Sequence, residues 1–270
     1  MPLAVCATPI GNLEDVTLRV LAELREADVV LCEDTRRTRV LLDRYGIDAR
    51  LVSYHRHNEA ARTEEVLAWL GRGDRVALVS DAGLPGVNDP GARVIEAAIA
   101  ADVAVTVLPG ASAVETALVA SGLAGERYQF VGYLPRRATE LRAVAEELSG
   151  WPHAVVAFES PHRLSASLEV LAEVMPERPA AVCRELTKRF EEVARGSLTE
   201  LAARFDEAPR GEVTVVLGTA AVERAAGGVG DDALAAVEEL VAAGVARRKA
   251  AEVVARLTGT SRNALYRASL

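Results

Sequence analysis

Leu78-Val-Ser-Asp-Ala-Gly-Leu-Pro-Gly-Val-Asn-Asp-Pro-Gly91 is the stretch that settles the class of fold. It begins inside Arg75–Ser80, an apolar run of strand length, and leads into Ala92–Ile99, where apolar residues recur at helical spacing. A loop rich in Gly, Pro and Asp therefore leaves the end of a strand and enters a helix. In open α/β sheets ligands bind at such loops, outside the carboxyl ends of the strands. Gly83, Gly86 and Gly91 allow the backbone to approach a ligand and to take positive φ. Pro85 and Pro90 stiffen the loop, and Pro90 stands where a helix can begin. Asp81 is placed to accept hydrogen bonds from a ligand. This density of punctuation exceeds what a simple turn needs, so the stretch reads as a binding loop.

The same grammar extends in both directions. Leu3–Thr8, Asp28–Glu33 and Arg50–Tyr54 read as earlier strands, and Asp102–Leu108 as a fifth. Polar loops follow their carboxyl ends: Pro9–Asp15, Glu33–Arg39, His55–Glu59 and Pro109-Gly-Ala-Ser-Ala113. Asp15 or Thr17 is expected to cap the helix carrying Val20, Leu21 and Leu24, and Asn58 the helix that runs to Trp69. Tyr128–Tyr133, His153–Glu159, Ala180–Glu185 and Glu212–Leu217, the last clear strand, continue the alternation, which indicates α/β layers. A Gly-, Ser- and Ala-rich seam at 108–125 divides an N-terminal α/β domain, 1–110, from a C-terminal one, 111–220. Residues 225–230 then read as a glycine-rich linker, and 231–270 as a helical tail. In that tail Ala246–Leu257, a turn at 258–260 and a helix capped by Ser261 have a helix-turn-helix pattern. Such a tail serves either nucleic-acid contact or packing and dimer formation.

A chain of 270 residues, 50% hydrophobic, has room for two medium domains. It contains no run of about 18 uncharged apolar residues, so no membrane span is expected. Met1–Ala7 lacks a basic n-region and reads as a first strand, not a signal peptide. Cys6, Cys32 and Cys183 are widely spaced in apolar runs, the pattern of buried thiols in a reducing cytoplasm. His55-x-His57 has no further Cys/His cluster to complete a zinc site, so no metal is expected. The net charge of -8 argues against a generic nucleic-acid binder. Two basic islands interrupt the acidic body, however. Between Arg36 and Arg62 seven Arg face three acidic residues, and between Gly244 and Leu270 six Lys/Arg face only Glu252. They suggest local contact with a polyanion.

No Gly-x-x-x-x-Gly-Lys-Ser/Thr and no Gly-x-Ser-x-Gly occurs, which argues against a P-loop nucleotidase and an α/β-hydrolase. The polar strand ends leave a dinucleotide-dependent enzyme, a group-transfer enzyme or a DNA-binding regulator, the last having no need of them. The motifs narrow this. Ala7-Thr-Pro-Ile-Gly-Asn-Leu-Glu-Asp-Val-Thr-Leu-Arg19, Cys32-Glu-Asp-Thr-Arg36, Ser80-Asp-Ala-Gly-Leu-Pro-Gly86, Asn88-Asp-Pro-Gly91, Pro109–Ala113, Phe158-Glu-Ser-Pro-His-Arg163 and Arg184-Glu-Leu-Thr-Lys188 stand in the order of one family. The chain resembles the tetrapyrrole methylase superfamily, the class III S-adenosylmethionine methyltransferases, over about residues 3 to 218. Within it the chain is most similar to the members that methylate the ribose 2′-oxygen of a cytidine in the decoding region of 16S rRNA. Two departures fall in the central loop: Leu84 where the family more often has Thr, and Asn88 where it more often has Ser.

The resemblance implies two α/β domains with S-adenosylmethionine in the cleft between them, and a cytoplasmic homodimer acting on 16S rRNA, free or within the 30S subunit. It places Asp81, Gly83 and Leu84 on the cofactor from the first domain, Ser112 and Ala113 from the seam, and Leu186 from the second domain, with Pro9 and Gly11 shaping the opposite wall. Glu33, Asp34, Glu159, Glu185 and Lys188 are candidates for a general base, and the sequence does not choose among them. Arg36, Arg37, His55, Arg163 and Lys188 are candidates for RNA contact, or alternatively for salt bridges between the domains. A precorrin or diphthine methyltransferase is the alternative within the same superfamily, and a dinucleotide-dependent α/β enzyme the alternative outside it.

Overall fold

Every residue of Leu3–Cys6 (β1), Val29–Cys32 (β2) and Val76–Leu78 (β4) is buried, because each of these strands has helices over both of its faces. With Leu51–Ser53 (β3) and Val105–Leu108 (β5) they form a five-stranded parallel sheet in the order β3-β2-β4-β1-β5. Side chains alternate between two cores. Ala4, Cys6, Val30 and Ala77 meet Leu18–Glu26 (α1) and Thr35–Arg44 (α2) on one face. Leu3, Val5, Leu31 and Leu78 meet Glu59–Gly71 (α3) and Ala92–Ala100 (α4) on the other. The computed structural model describes residues 2–220, 231–258 and 262–270.

Thr17 caps α1 by accepting from Val20 N at 3.2 Å, while Asp15 lies in a preceding short 3-10 turn. Asn58 does not cap α3 as expected. Its backbone is already in the helical region, and its side chain instead accepts from His55 N and donates to Ser53 O. The three cysteines are free and buried. Desolvation pushes the Cys6 thiol up to about 12 and the Cys183 thiol to about 11, which makes both poor nucleophiles.

The second sheet departs from simple alternation. Tyr128–Tyr133 (β6), Ala154–Glu159 (β7), Pro179–Arg184 (β8), Glu192–Ser197 (β9) and Val213–Leu217 (β10) run in the order β6-β7-β10-β8-β9. Only β6 and β7 pair in parallel; β10 is antiparallel to both neighbours, and β8 joins β9 without a helix. The sequence reading missed β9, whose Glu192, Arg195 and Gly196 suit an edge strand rather than a core one. Ala138–Ser149 (α6), Leu164–Val174 (α7) and Leu198–Arg204 (α8) cover one face. Ala113–Ser121 (α5), within the predicted seam, covers the other together with Ile10 and Leu186.

The chain divides into two compact units, Met1–Ala220 and Ala221–Leu270. In the second unit Asp231–Ala242 (α9), Arg247–Thr258 (α10) and Arg262–Ala268 (α11) close on Val237, Ala250, Ala251, Val254 and Leu265. The predicted linker at 225–230, most of the turn before α11 and Ser261 as its cap lie outside the described residues. Among the described residues no helix is long and apolar enough to cross a membrane.

Candidate functional site

β1 and β4 are neighbours in the sheet, yet the chain leaves them in opposite directions, to β2 and to β5. At such a reversal of strand order the carboxyl-end loops part and leave a crevice. Here the loops after β1 and β4 are held in register by Thr8 and Gly83, which exchange backbone hydrogen bonds of 2.8 and 3.0 Å. Gly83 takes φ 78°, the left-handed region open to glycine. The Thr8 hydroxyl also donates to Ser80 O at 3.0 Å.

A cavity of about 960 Å³ opens here and extends to the second sheet. Its first wall is Asp81–Leu84 and Val87–Asp89; Pro109–Glu115 form its floor. The opposite wall is β6, the end of β7, and the turns holding Glu185, Leu186, Lys188 and Glu212. The two walls meet where Gly11 packs under the turn after β8: a Cβ added there would lie 2.6 Å from Lys188 Cγ and 2.8 Å from Leu186 O. Asn12 N donates to Thr187 Oγ1 at 3.0 Å across the same junction. Glu185 and Thr187 in that turn both have left-handed φ, 52° and 65°, a cost retained where a loop is fixed by its surroundings.

The carboxylates of the two walls are in different states. Asp81 accepts from Asp34 N at 3.0 Å and stands 3.5 Å from the Arg37 guanidinium. Asp89 is pushed up to about 6 by burial and then by the nearby Glu33 and Asp81 charges. Burial, reinforced by Asp81, also raises Glu33. Opposite them, Lys188 Nζ donates to Glu185 at 2.9 Å and Glu212 at 2.8 Å. Burial works against the Lys188 charge, but these two hydrogen bonds prevail and raise its pKa, while Lys188 lowers that of Glu185. Glu159, with a fully buried side chain, accepts from Ser160 N at 2.6 Å and Ser167 Oγ at 2.5 Å and pairs with Arg163.

Of the residues singled out from the sequence, Asp81, Gly83, Leu84, Ser112, Ala113, Leu186, Arg37, Glu159, Glu185 and Lys188 line the cavity. Pro9 and Gly11 do not; Gly11 acts behind the wall. Glu33 and Asp34 also stand off it. Asp34 caps α2 and is bound by Arg36, whose hydrogen bonds hold its carboxyl down near 2. Arg36 is thus paired with its own helix cap. Arg163 is held by Glu159 and Leu134 O, within the second sheet. His55 is at the start of the α3 connection, its buried Nδ1 without a hydrogen-bond partner. The sequence reading assigned no role to Asp89, Glu212, Tyr128, Phe130, Tyr133 or Phe158, all of which line the cavity. The rarity of aromatics, 4% of the chain, was an available signal for the last four.

A family model described as Tetrapyrrole (Corrin/Porphyrin) Methylases matches residues 2–202. A protein of Micromonospora olivasterospora named ribosomal RNA small subunit methyltransferase I is 47% identical over 266 residues, 98% of this chain and 85% of its own length. One of the same name from Mesorhizobium japonicum is 44% identical over 98% of this chain and 90% of its own. Among solved structures, uroporphyrin-III C-methyl transferase from Thermus thermophilus, complexed with S-adenyl homocysteine, superposes with a TM-score of 0.58 at 19% identity, over 81% of this chain and 97% of that one.

Proposed function

We propose that this chain, which belongs to the tetrapyrrole methylase family, transfers a methyl group from S-adenosylmethionine to small-subunit ribosomal RNA. The observation that carries this reading is the 47% identity over 98% of the chain to a relative named for that activity. The finer reading is the ribose 2′-oxygen of a cytidine in the decoding region of 16S rRNA, by a cytoplasmic homodimer whose domains are 1–110, 111–220 and the tail 231–270.

The cavity suits such a cofactor. It lies at a strand-order reversal, and the acidic residues among its lining outnumber Arg37 and Lys188, which favours a ligand carrying a sulfonium and an ammonium. When bound, S-adenosylmethionine supplies a methyl group already activated by positive sulfur. The chain's task is then to position and to exclude water. Ile10, Leu84, Val114 and Leu186 give apolar walls, and the fixed loops around Thr8, Gly83 and Thr187 hold them. Positioning of this kind contributes on the order of 7 to 11 kcal/mol in favourable systems. Lys188, kept charged between two carboxylates, is not suited to remove a proton. Asp89, pushed up to about 6 by burial, has a proton affinity suited to a base near neutral pH.

The test uses methyl-labelled S-adenosylmethionine with 30S particles and with free 16S rRNA. Label is expected in one dinucleotide that survives alkaline hydrolysis, because a 2′-O-methyl blocks cleavage at that link. Label on a base would refute the ribose reading, and label in neither RNA would refute the rRNA reading.

A further inference from the structure

Of the two Trp, five Tyr and four Phe in this chain, Tyr128, Phe130, Tyr133 and Phe158 line the cavity, all on the second-sheet wall. Three of them form a buttressed stack. Phe130 meets Phe158 edge to face at 4.9 Å, and Phe158 meets Tyr133 at 5.6 Å. Yet Tyr133 remains 60% exposed. A ring held from behind and open in front is what a base needs for stacking.

The backbone is bent to present it. Along β6, Tyr128 and Phe130 face the cavity while Val131 faces the opposite core. Strict alternation would send Tyr133 the way of Val131. Instead the register against β7 shifts between Phe130 and Tyr133, so that Tyr133 sits opposite Phe158. The extra residue is accommodated at Gly132, which has φ 71°, the left-handed conformation of a bulge. Leu134 then returns to the core. Asn88 faces this bulge from the first wall: a Cβ on Gly132 would lie 3.2 Å from Asn88 Oδ1. Asn88 has φ 64°, and its carbonyl accepts from Arg56 at 2.7 Å. The volume, about 960 Å³, is at the upper end for a small-molecule site, which leaves space for a nucleoside beside a cofactor.

We infer that Tyr133 is the stacking platform for the base of the acceptor nucleotide, turned into the cavity by the Gly132 bulge. The inference rests on the RNA reading above and adds how the target enters: as a nucleotide unstacked from its strand, with its base on Tyr133.

Tyr133→Ala, Tyr133→Leu and Tyr133→Phe are compared with wild type in steady-state methylation of 30S particles or 16S rRNA, whichever wild type accepts. S-adenosylmethionine Kd and thermal midpoint are measured alongside. Loss of stacking should lower kcat/KM for RNA on the order of ten- to a hundredfold in the Ala and Leu variants. The Phe variant should stay within about twofold of wild type, and cofactor Kd should not move. Gly132→Ala, which keeps the ring but strains the bulge, should lose RNA activity as Tyr133→Ala does. A Leu variant as active as Phe would show packing rather than stacking; a parallel loss of cofactor affinity would place Tyr133 on the cofactor; an unaffected Ala variant would remove the platform. If wild type methylates neither RNA, the RNA reading fails and this inference with it, an outcome distinct from an active wild type with an indifferent Tyr133.

Discussion

The two walls of the cavity solve different problems. The first is a loop set by its backbone, with Gly83 and Asn88 left-handed, and it carries Asp89, whose charge is opposed by burial and by Glu33 behind the wall. The second is side chains locked to one another: Glu159 on Arg163, Lys188 between Glu185 and Glu212, and an aromatic stack. A wall of the first kind adapts its surface by titration and close approach, whereas one of the second kind holds its shape through paired charges. Acidic residues on the two sides therefore have different consequences when changed.

The sharpest way to break the second wall is Glu159→Ala. It strands the Arg163 guanidinium, Ser167 Oγ and Ser160 N together. Removing one partner of a buried ion pair costs about 3 to 5 kcal/mol, and urea unfolding should show a loss of that order. The sequence offered Arg163 for RNA contact or for a salt bridge between the domains; its pairing with Glu159 predicts that Arg163→Ala also lowers stability. A stable Arg163→Ala variant with a selective loss of RNA affinity would reverse that assignment.

Next in size is the junction of the walls. Gly11→Val would drive a side chain into Lys188, Thr187 and the Leu186 carbonyl. Overpacking costs about 1 to 3 kcal/mol. The Leu186 wall should also shift, so calorimetry should show weaker S-adenosylmethionine binding even though Gly11 does not line the cavity. Unchanged affinity in the folded variant would mean that the turn yields without moving the wall.

How much of this was legible follows the same division. The first sheet announces itself because strands buried on both faces are continuous apolar runs, and because Gly, Pro and Asp punctuate their ends. The second sheet was half legible. Its core strands showed, but β9 did not, since an edge strand carrying Glu192 and Arg195 lacks an apolar signature. Antiparallel pairing of β10 is a long-range fact that no local pattern encodes. Among site residues, those whose backbone matters were visible as loop motifs. Asp89 was quoted but not assigned, because its raised pKa comes from burial and from Glu33, more than fifty positions away in sequence. Tyr133 was hidden because a bulge at Gly132, invisible in the sequence pattern, sets its register against Phe158. Arg36 and Arg163 looked alike as basic residues near strand ends; only coordinates show both already paired.

A smaller effect is expected from Arg37→Ala on the first wall. Its contact with Asp81 is 3.5 Å long and its side chain 63% exposed. Exposed pairs contribute about 0 to 1 kcal/mol, so the unfolding midpoint should hardly move. Because Arg37 lines the cavity without a tight partner, its loss should weaken RNA binding more than folding. A drop in stability as large as that of Glu159→Ala would erase the contrast between the walls.

The last effect is read as a slope with pH, in Asp89→Asn. Burial holds the Asp89 carboxyl at about 6 in the folded chain, against an ordinary aspartate value of 3.8. The folded state thus binds this proton more tightly than the unfolded state. Its favourable contribution is complete below about 3.8 and is lost as pH rises through about 6. An uncharged Asn does not undergo that loss. Wild type and Asp89→Asn should therefore converge in stability at low pH, with the variant gaining on wild type between pH 4 and 7 and the difference levelling off above. Cofactor binding should run in the opposite sense. The Asp89 anion formed above about 6 adds negative charge to the cavity, so wild-type affinity for cationic S-adenosylmethionine should strengthen through that pH while the Asn variant follows a flatter course. The paired carboxylates opposite provide the internal control: Glu185 is held below its ordinary value by Lys188 and then by the Glu212 backbone, with burial opposing them, and should contribute no inflection near 6. Parallel affinity profiles for wild type and Asp89→Asn would show that the first wall is as fixed in charge as the second.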